Sequence, residues 1–317
     1  MKIIEFLWRR ILSSFIVLIG VTLIIYTIYY LKEGLNNYFV GYFKWWSNIL
    51  LGKWGIINVP MFNGSVLKAI SIFLPNTLVL LIFSGIIIFL LGIFLGFISS
   101  KHKRFGDLIR IISFFFYSSP SFIIAIFVII ILGVYLGLPY VGSINPILLI
   151  NANWYSNGVS YPTHILLFDA LIHGDFPVAY NAFLHLILPS LSLILSFFAG
   201  LLIVMNYSVN ESSQKGFYKF LFLREIPNRR RDYHLVKNAV TQPVNFFAYL
   251  IASLLSGDVI VETLFSYPGM GLLLVQSLQS SQYIALLDLS LIYSLIFIIV
   301  SFILDLIYVE IDPRAEI

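Results

Sequence analysis

Apolar residues along this chain fall in long unbroken runs, separated by shorter stretches where charges, prolines and polar residues collect. Six runs are long enough to cross about 30 Å of hydrocarbon, which takes about 20 helical residues: roughly 11–31, 76–98, 110–137, 183–205, 243–263 and 283–309. Backbone facing lipid must satisfy its own N–H and C=O groups, so each run is expected to be an α-helix. The pattern predicts an all-α integral membrane protein with six transmembrane helices. No repeat or low-complexity linker divides it, so residues 1–317 read as a single transmembrane domain.

Between the runs, three segments have character of their own. Residues 32–75 contain YFKWWSNILLGKWG, whose Trp45, Trp46 and Trp54 suit a helix lying at the membrane interface. Residues 138–182 hold Pro139, Pro146, Pro162 and Pro177 among glycines and asparagines and predict an irregular or partly folded outer cap. The third is the loop 206–242. A helix through SSQKGFYKFLFLRE would gather Phe217, Phe220 and Leu221 on one face, opposite Lys215 and Lys219, and would end before Pro227. Its basic residues could serve only to touch anionic lipid. An apolar face on a helix outside the bilayer is equally a docking surface for another protein.

Composition removes the soluble alternative. Apolar residues make up 60% of the chain and the mean hydropathy is +0.95, against roughly 45–50% apolar in ordinary soluble domains. A water-exposed fold could not cover that much apolar surface. Cysteine is absent, which excludes disulfides, thiolate metal sites and a cysteine nucleophile. The net charge of +4 matters less than its distribution, and no nucleic-acid partner is expected. Lys2, Arg9 and Arg10, then Lys101, Lys103, Arg104 and Arg110, then Lys215, Lys219, Arg224, Arg229, Arg230, Arg231 and Lys237, and finally Arg314 lie in alternate loops or tails. Only Lys32, Lys44, Lys53 and Lys68 fall on the other side. By the positive-inside rule both termini are expected in the cytoplasm of a multi-pass plasma-membrane protein. The opening MKIIEFLWRRILSS resembles a signal-peptide n-region, but the run behind it is span-length without a small-residue cleavage site, so it reads as a retained first helix.

Candidate chemistry is sparse. Asp258 and Glu262, four apart, share a helix face in the fifth run; they either point into the bundle or a wet cavity, or merely end the span at the interface. Pro120 in YSSPSF predicts a kink, with Ser118, Ser119 and Ser121 available to bond the backbone groups it frees. Gly92 and Gly96, with Gly85 before them, predict a helix contact face. FSYPGMG places a Pro268-Gly269 turn after the fifth run, in a setting too apolar for a loop bathed only in water. No metal is expected; His164 and His173 with Asp169 and Asp175 in the outer cap come nearest to a site. There is no GxxxxGK[ST], GxSxG or HExxH sequence, so the chain is not expected to be an enzyme.

The residues also carry a resemblance. WRRILSSFIVLIGVTLIIY, YFKWWSNILLGKWG, LPNTLVLL, SSPSF, HLILPSL, GFYKFLFLREIPNRRRDYHLVKNAVTQP, VIVETLFSYPGMG and DLIYVEIDPR, in that order, resemble the inner-membrane permease subunit of binding-protein-dependent ABC importers, in the dipeptide, oligopeptide and nickel branch. The resemblance implies a type I ABC importer-like permease bundle and a coupling helix docking on an ATPase subunit, here carried by Lys215, Phe217, Lys219, Phe220, Leu221, Arg224, Glu225, Ile226 and Pro227. It makes Pro120, Asp258, Glu262, Tyr267, Pro268, Gly269 and Gly271 candidates for the translocation path or gate. It implies a second homologous permease, two ATP-binding cassette subunits holding ATP and Mg, and an external substrate-binding protein, with no cofactor on this chain. Peptides are the expected cargo, and oligosaccharides or nickel the alternatives. A stand-alone secondary transporter or channel would call for an inverted repeat or a chain of buried acids, and the sequence has neither. One departure stands out: the family's coupling motif turns at a glycine, where this chain has Glu225.

Overall fold

The computed structural model describes residues 2–33, 37–150, 152–156 and 159–311, with side chains left out at 2–11, 103, 105, 252, 304, 305 and 307–311. Lys2, Arg9, Arg10, Lys103, Asp305 and Arg314 are therefore outside the described side chains.

Helix α1 (Lys2–Glu33) leads to the shorter α2 (Tyr38–Leu50), which packs its Tyr42 and Trp45 against α1. An antiparallel hairpin, β1 (Ile56–Val59) and β2 (Phe62–Ser65), follows. Ser65 then caps α3 (Val66–Lys101), its hydroxyl accepting the Lys68 N–H at 3.3 Å. The second apolar helix thus begins ten residues before the run at 76–98, because Val66, Ala69, Ile70 and Phe73 recur at helical spacing and bury against the hairpin.

The third run is two helices rather than one kinked span. In α4 (Lys103–Ser118) and α5 (Ser121–Val128, continued as a π-helical stretch to Tyr135), the axes differ by 105°. Proline disfavours a helical residue before it, and Ser119 is extended at ψ 132°. Ser118 and Ser119 donate their hydroxyls to the carbonyls of Phe114 and Phe115, both at 2.8 Å, and the Ser119 N–H takes the Phe116 carbonyl, whose helical partner would be Pro120.

The described residues of the segment 138–182, expected to be irregular or partly folded, are folded. A 3₁₀ turn (Pro146–Leu149), a small hairpin of β3 (Tyr155–Ser156) and β4 (Val159–Ser160), and α6 (Leu166–Ile172) surround a core of Ile144, Leu166, Ala170, Val178 and Ala179. Trp154 stacks on His173 at 5.3 Å. The ring Nδ1 atoms of His164 and His173 lie against backbone carbonyls, and among the described residues no cluster suits a metal ion.

Helix α7 (Phe176–Gln214) is the axis of the bundle, most of its positions between 185 and 212 being buried. It packs closely on α3, where a Cβ at Gly92 would lie 2.7 Å from Leu201 and one at Gly96 2.6 Å from Met205. Then come α8 (Gly216–Leu223), α9 (Asn228–Ala239), α10 (Thr241–Phe265, bent by 46° near its middle), α11 (Met270–Gln279) and α12 (Tyr283–Ile311). Among the described residues, four helices are long and apolar enough to cross a membrane, or up to six if each bent pair is one span.

Candidate functional site

Two groups of residues singled out in the sequence are each brought together, at opposite ends of the bundle. The first surrounds α8. The single helix expected through SSQKGFYKFLFLRE is interrupted: α7 runs on to Gln214, Lys215 is extended (φ −68°, ψ 150°), and α8 starts afresh at Gly216. Serines at 212 and 213 and the glycine at 216 favour helix ends over helix interiors. Lys215 pairs with Glu211 at 3.1 Å, and Glu211 also accepts from Gln242 at 3.1 Å, tying α7 to the start of α10.

α8 ends at Leu223, four residues before Pro227. The Glu225 N–H reaches the Phe222 carbonyl at 3.0 Å and the Ile226 N–H reaches that of Leu221 at 3.3 Å. This is the paired closure in which the residue after the cap turns left-handed, a position usually given to glycine. Glu225 takes it, with φ 54°. The turn that a glycine would favour is therefore retained with glutamate in place. Pro227 then opens α9, its carbonyl accepting the N–H groups of Arg230 and Arg231 at 2.9 and 3.1 Å.

The apolar face is shifted from the one expected. Phe217, Leu221 and Ile226 are half-buried, whereas Phe220, Phe222 and Leu223 are 52%, 63% and 80% exposed. Arg224 stands over the Phe220 ring at 4.5 Å and Arg231 over that of Phe222 at 4.9 Å. Lys219 is exposed. Phe222 and Leu223 lie outside the face of Phe217, Phe220 and Leu221 that the helical pattern picks out.

At the other end, α10 closes in the same way through Ser266 (φ 50°), and Tyr267 enters the interior. Glu262 is fully buried. Its Oε1 accepts the Thr77 hydroxyl of α3 at 2.6 Å and its Oε2 accepts the Leu272 N–H at 3.0 Å. The Thr77 oxygen in turn accepts the Met270 N–H at 2.7 Å, and the Asn76 amide donates to the Pro268 carbonyl at 3.0 Å. Glu262 and Thr77 thereby cap the N-terminus of α11, where unpaired N–H groups and the helix dipole favour a carboxylate. The glycines make room: a Cβ at Gly269 would fall 2.0 Å from Glu262 Oε1, and one at Gly271 2.6 Å from Val259 Cα. Asp258 is equally buried; neither of its oxygens, nor the Tyr293 hydroxyl, has a hydrogen-bond partner among the described residues. Both acids thus lie in the protein interior, in the last two turns of α10.

Pro120 stands apart from this cluster, at the α4–α5 break. Its neighbour Ser121 lines a groove with Phe197, Tyr249, Ser253, Ser256, Gly257 and Ile260. Tyr249, Ser253, Ser256 and Ile260 follow a 4-3-4 spacing, one stripe along α10 that is polar at its first three positions, on the opposite side from Leu254, Asp258 and Glu262. The stripe is visible in the sequence as a helical periodicity of serines and tyrosine within an apolar run, and it was missed, as were Asn76, Thr77 and Tyr293.

The profile of one protein family, described as the binding-protein-dependent transport system inner membrane component, matches residues 88–317. The chain is 28% identical over 299 residues to the oligopeptide transport system permease protein AppB of Bacillus subtilis, covering 90% of this chain and 83% of that one. It is 28% identical over 260 residues to the probable D,D-dipeptide transport system permease protein DdpB of Escherichia coli, covering 78% and 72%. To the dipeptide transport system permease protein DppB of Alkalihalophilus pseudofirmus it is 25% identical over 342 residues, covering 97% and 98%.

Proposed function

Given that the chain belongs to the family of binding-protein-dependent transport system inner membrane components, we propose that it is one permease subunit of an ATP-driven importer of peptides. In this reading it crosses the plasma membrane six times, each bent pair counting as one span, with both termini in the cytoplasm. It forms half of the translocation path beside a homologous second permease. It has no ATPase site of its own. Two ATP-binding cassette subunits hold ATP and Mg and grip α8, and an external binding protein delivers the cargo. The names of the relatives favour peptides over oligosaccharides or nickel as cargo.

One observation carries the coupling role: Phe220, Phe222 and Leu223 are exposed on a short helix held between two rigid turns. Exposed aromatic and leucine side chains on a helix fit a groove in another protein. The residues assigned to coupling are Lys215, Phe217, Lys219, Phe220, Leu221, Arg224, Glu225, Ile226 and Pro227, to which Phe222 and Leu223 are added. The outer gate is assigned to Asp258, Glu262, Tyr267, Pro268, Gly269 and Gly271. In this mechanism, closure of the ATPases on nucleotide moves α8, the bundle tilts, and the α10–α11 turn opens and closes against Thr77.

Deletion of residues 213–231 tests the reading. Membrane insertion should survive while ATPase subunits no longer co-purify. Undiminished co-purification, or transport that continues without this segment, would overturn the assignment.

A further inference from the structure

Two polar groups beside the α11 cap are spent on nothing. Asp258 of α10 is 0% exposed, and neither of its carboxyl oxygens has a hydrogen-bond partner among the described residues. The hydroxyl of Tyr293 in α12 is enclosed as well, and it too is unpartnered there. Groups left unpaired in a protein interior are costly and rare. Their neighbours show how such groups are ordinarily spent. Glu262, one turn on from Asp258, engages both of its oxygens, and Ser290 and Ser294 of α12 donate to the carbonyls four residues before them at 2.7 and 2.9 Å.

Donor and acceptors stand at one junction. A Cβ at Gly271 would lie 2.9 Å from Glu262 Oε2 and 3.2 Å from the Tyr293 hydroxyl, so the two oxygens flank the first turn of α11. Asp258 and Glu262 share a face of α10, and they are the charged groups that act on Tyr293. A tyrosine hydroxyl can donate and a carboxyl oxygen can accept, yet in this arrangement they do not meet. The other side of the junction is fully bonded. Thr77 of α3 donates to Glu262 at 2.6 Å and accepts the Met270 N–H at 2.7 Å, while Asn76 donates to the Pro268 carbonyl at 3.0 Å. The α10–α11 turn therefore has one set of bonds made, to α3, and one set unmade, toward α12. A packed junction with two bonding sets favours two discrete positions over a continuous range.

We propose that Tyr293 and Asp258 form the second position of a two-position latch: when the α10–α11 turn leaves Asn76 and Thr77, the Tyr293 hydroxyl donates to the Asp258 carboxyl and holds the turn against α12. The latch rests on the assignment of that turn as the outer gate, and it supplies what holds the gate in its other position.

The chain has no cysteine, so Leu67→Cys in α3 with Leu278→Cys in α11, both exposed positions, gives a spin-label pair that follows the turn in the reconstituted transporter. Distances are read without nucleotide, and again with ATP and vanadate to hold the ATPases closed. The unsubstituted latch should show a second distance on trapping. Tyr293→Phe should leave the nucleotide-free distance and thermal midpoint unchanged, because its hydroxyl is unspent there. On trapping, it should lower the ratio of second to first distance about fivefold, the weight of one hydrogen bond. Asp258→Leu, which removes the acceptors, should do the same, and Asp258→Asn, which keeps one, should retain most of the shift. The double variant Tyr293→Phe with Asp258→Leu should lose no more than either alone, since a single bond is removed. Ser294→Ala, which deletes a hydroxyl spent within α12, should switch normally. Normal switching in both Tyr293→Phe and Asp258→Leu, losses that add in full, an equal loss in Ser294→Ala, or a lower nucleotide-free midpoint in Tyr293→Phe would overturn the latch and leave the gate assignment standing. Labels that never move in the unsubstituted latch would instead overturn the gate assignment, and the latch with it.

Discussion

Glu225 occupies backbone that side chains other than glycine avoid, at φ 54°, because the two N–H bonds closing α8 require that turn. The left-handed region costs a non-glycine residue about 1 kcal/mol. Glu225→Gly should therefore keep the turn and leave coupling unchanged or improved, as measured by cargo-stimulated ATPase activity of the reconstituted transporter. A collapse of coupling would show that the carboxylate itself touches the partner. Phe220 is the complementary case. It is exposed, with Arg224 over its ring, so Phe220→Asp should shift thermal stability little, surface changes being usually within about 0.5 kcal/mol. Buried in an interface groove, however, the same change should cost about 2 kcal/mol or more, a loss of about thirtyfold in binding to the ATPase subunit. Wild-type binding by that variant would mean that Phe220 faces elsewhere.

Among the elements, α11 depends on a helix cap supplied from another helix, and this explains the glycines of FSYPGMG. Gly269→Ala would drive a methyl into the Glu262 carboxylate, displacing the acid from the Leu272 N–H and from Thr77. Overpacking of this kind costs about 1–3 kcal/mol, and transport should fall while co-purification with the ATPases persists. Full transport activity in Gly269→Ala would show that the gate does not need this cap. The same element shows what was legible in the sequence. Long helices were, since an apolar run of span length leaves the backbone one solution in lipid. The ends were not. α8, α10 and α11 all close through left-handed residues that are not glycine, Glu225, Ser266 and Ser281, so the usual stop signal is missing at each. The α4–α5 break was legible as Pro120, but its 105° was not, because a proline kink and a full turn differ only in how far the freed carbonyls can be satisfied locally. Asp258 and Glu262 were legible as a same-face pair of acids, but not which way they turn; the partner of Glu262, Thr77, lies 185 residues away, and no local pattern joins them.

On the scale of the molecule, one helix connects the two sites. α3 carries Thr77 at the α11 cap and Lys101 at its own C-terminal end, 24 residues or about 36 Å apart at 1.5 Å per residue. Lys101 is bound to Asp232 of α9 and lies over the rings of Phe97 and of Tyr218 in α8, at 5.4 and 6.0 Å. Beneath that contact, Met205, Val209, Leu235 and Ala239 form a closed core between α7 and α9, reinforced by the Ser208 hydroxyl on the Ala239 carbonyl at 2.6 Å. These contacts join α8 and α9 to α3 and α7, and α3 is held to the α10–α11 turn through Thr77. The Lys101–Asp232 pair is about one third exposed, so its contribution to stability is small, within about 1 kcal/mol. Its effect on coupling should be larger, because among the described residues it is the ion pair that joins α9 to α3. Asp232→Lys should lower cargo-stimulated ATPase activity severalfold with little change in thermal midpoint, and Lys101→Asp in the same chain should restore much of it. If the single variant couples normally, or if the exchanged pair fails to recover, force passes through the apolar core of α7 and α9 instead, and Leu235→Ala becomes the substitution that uncouples the two ends.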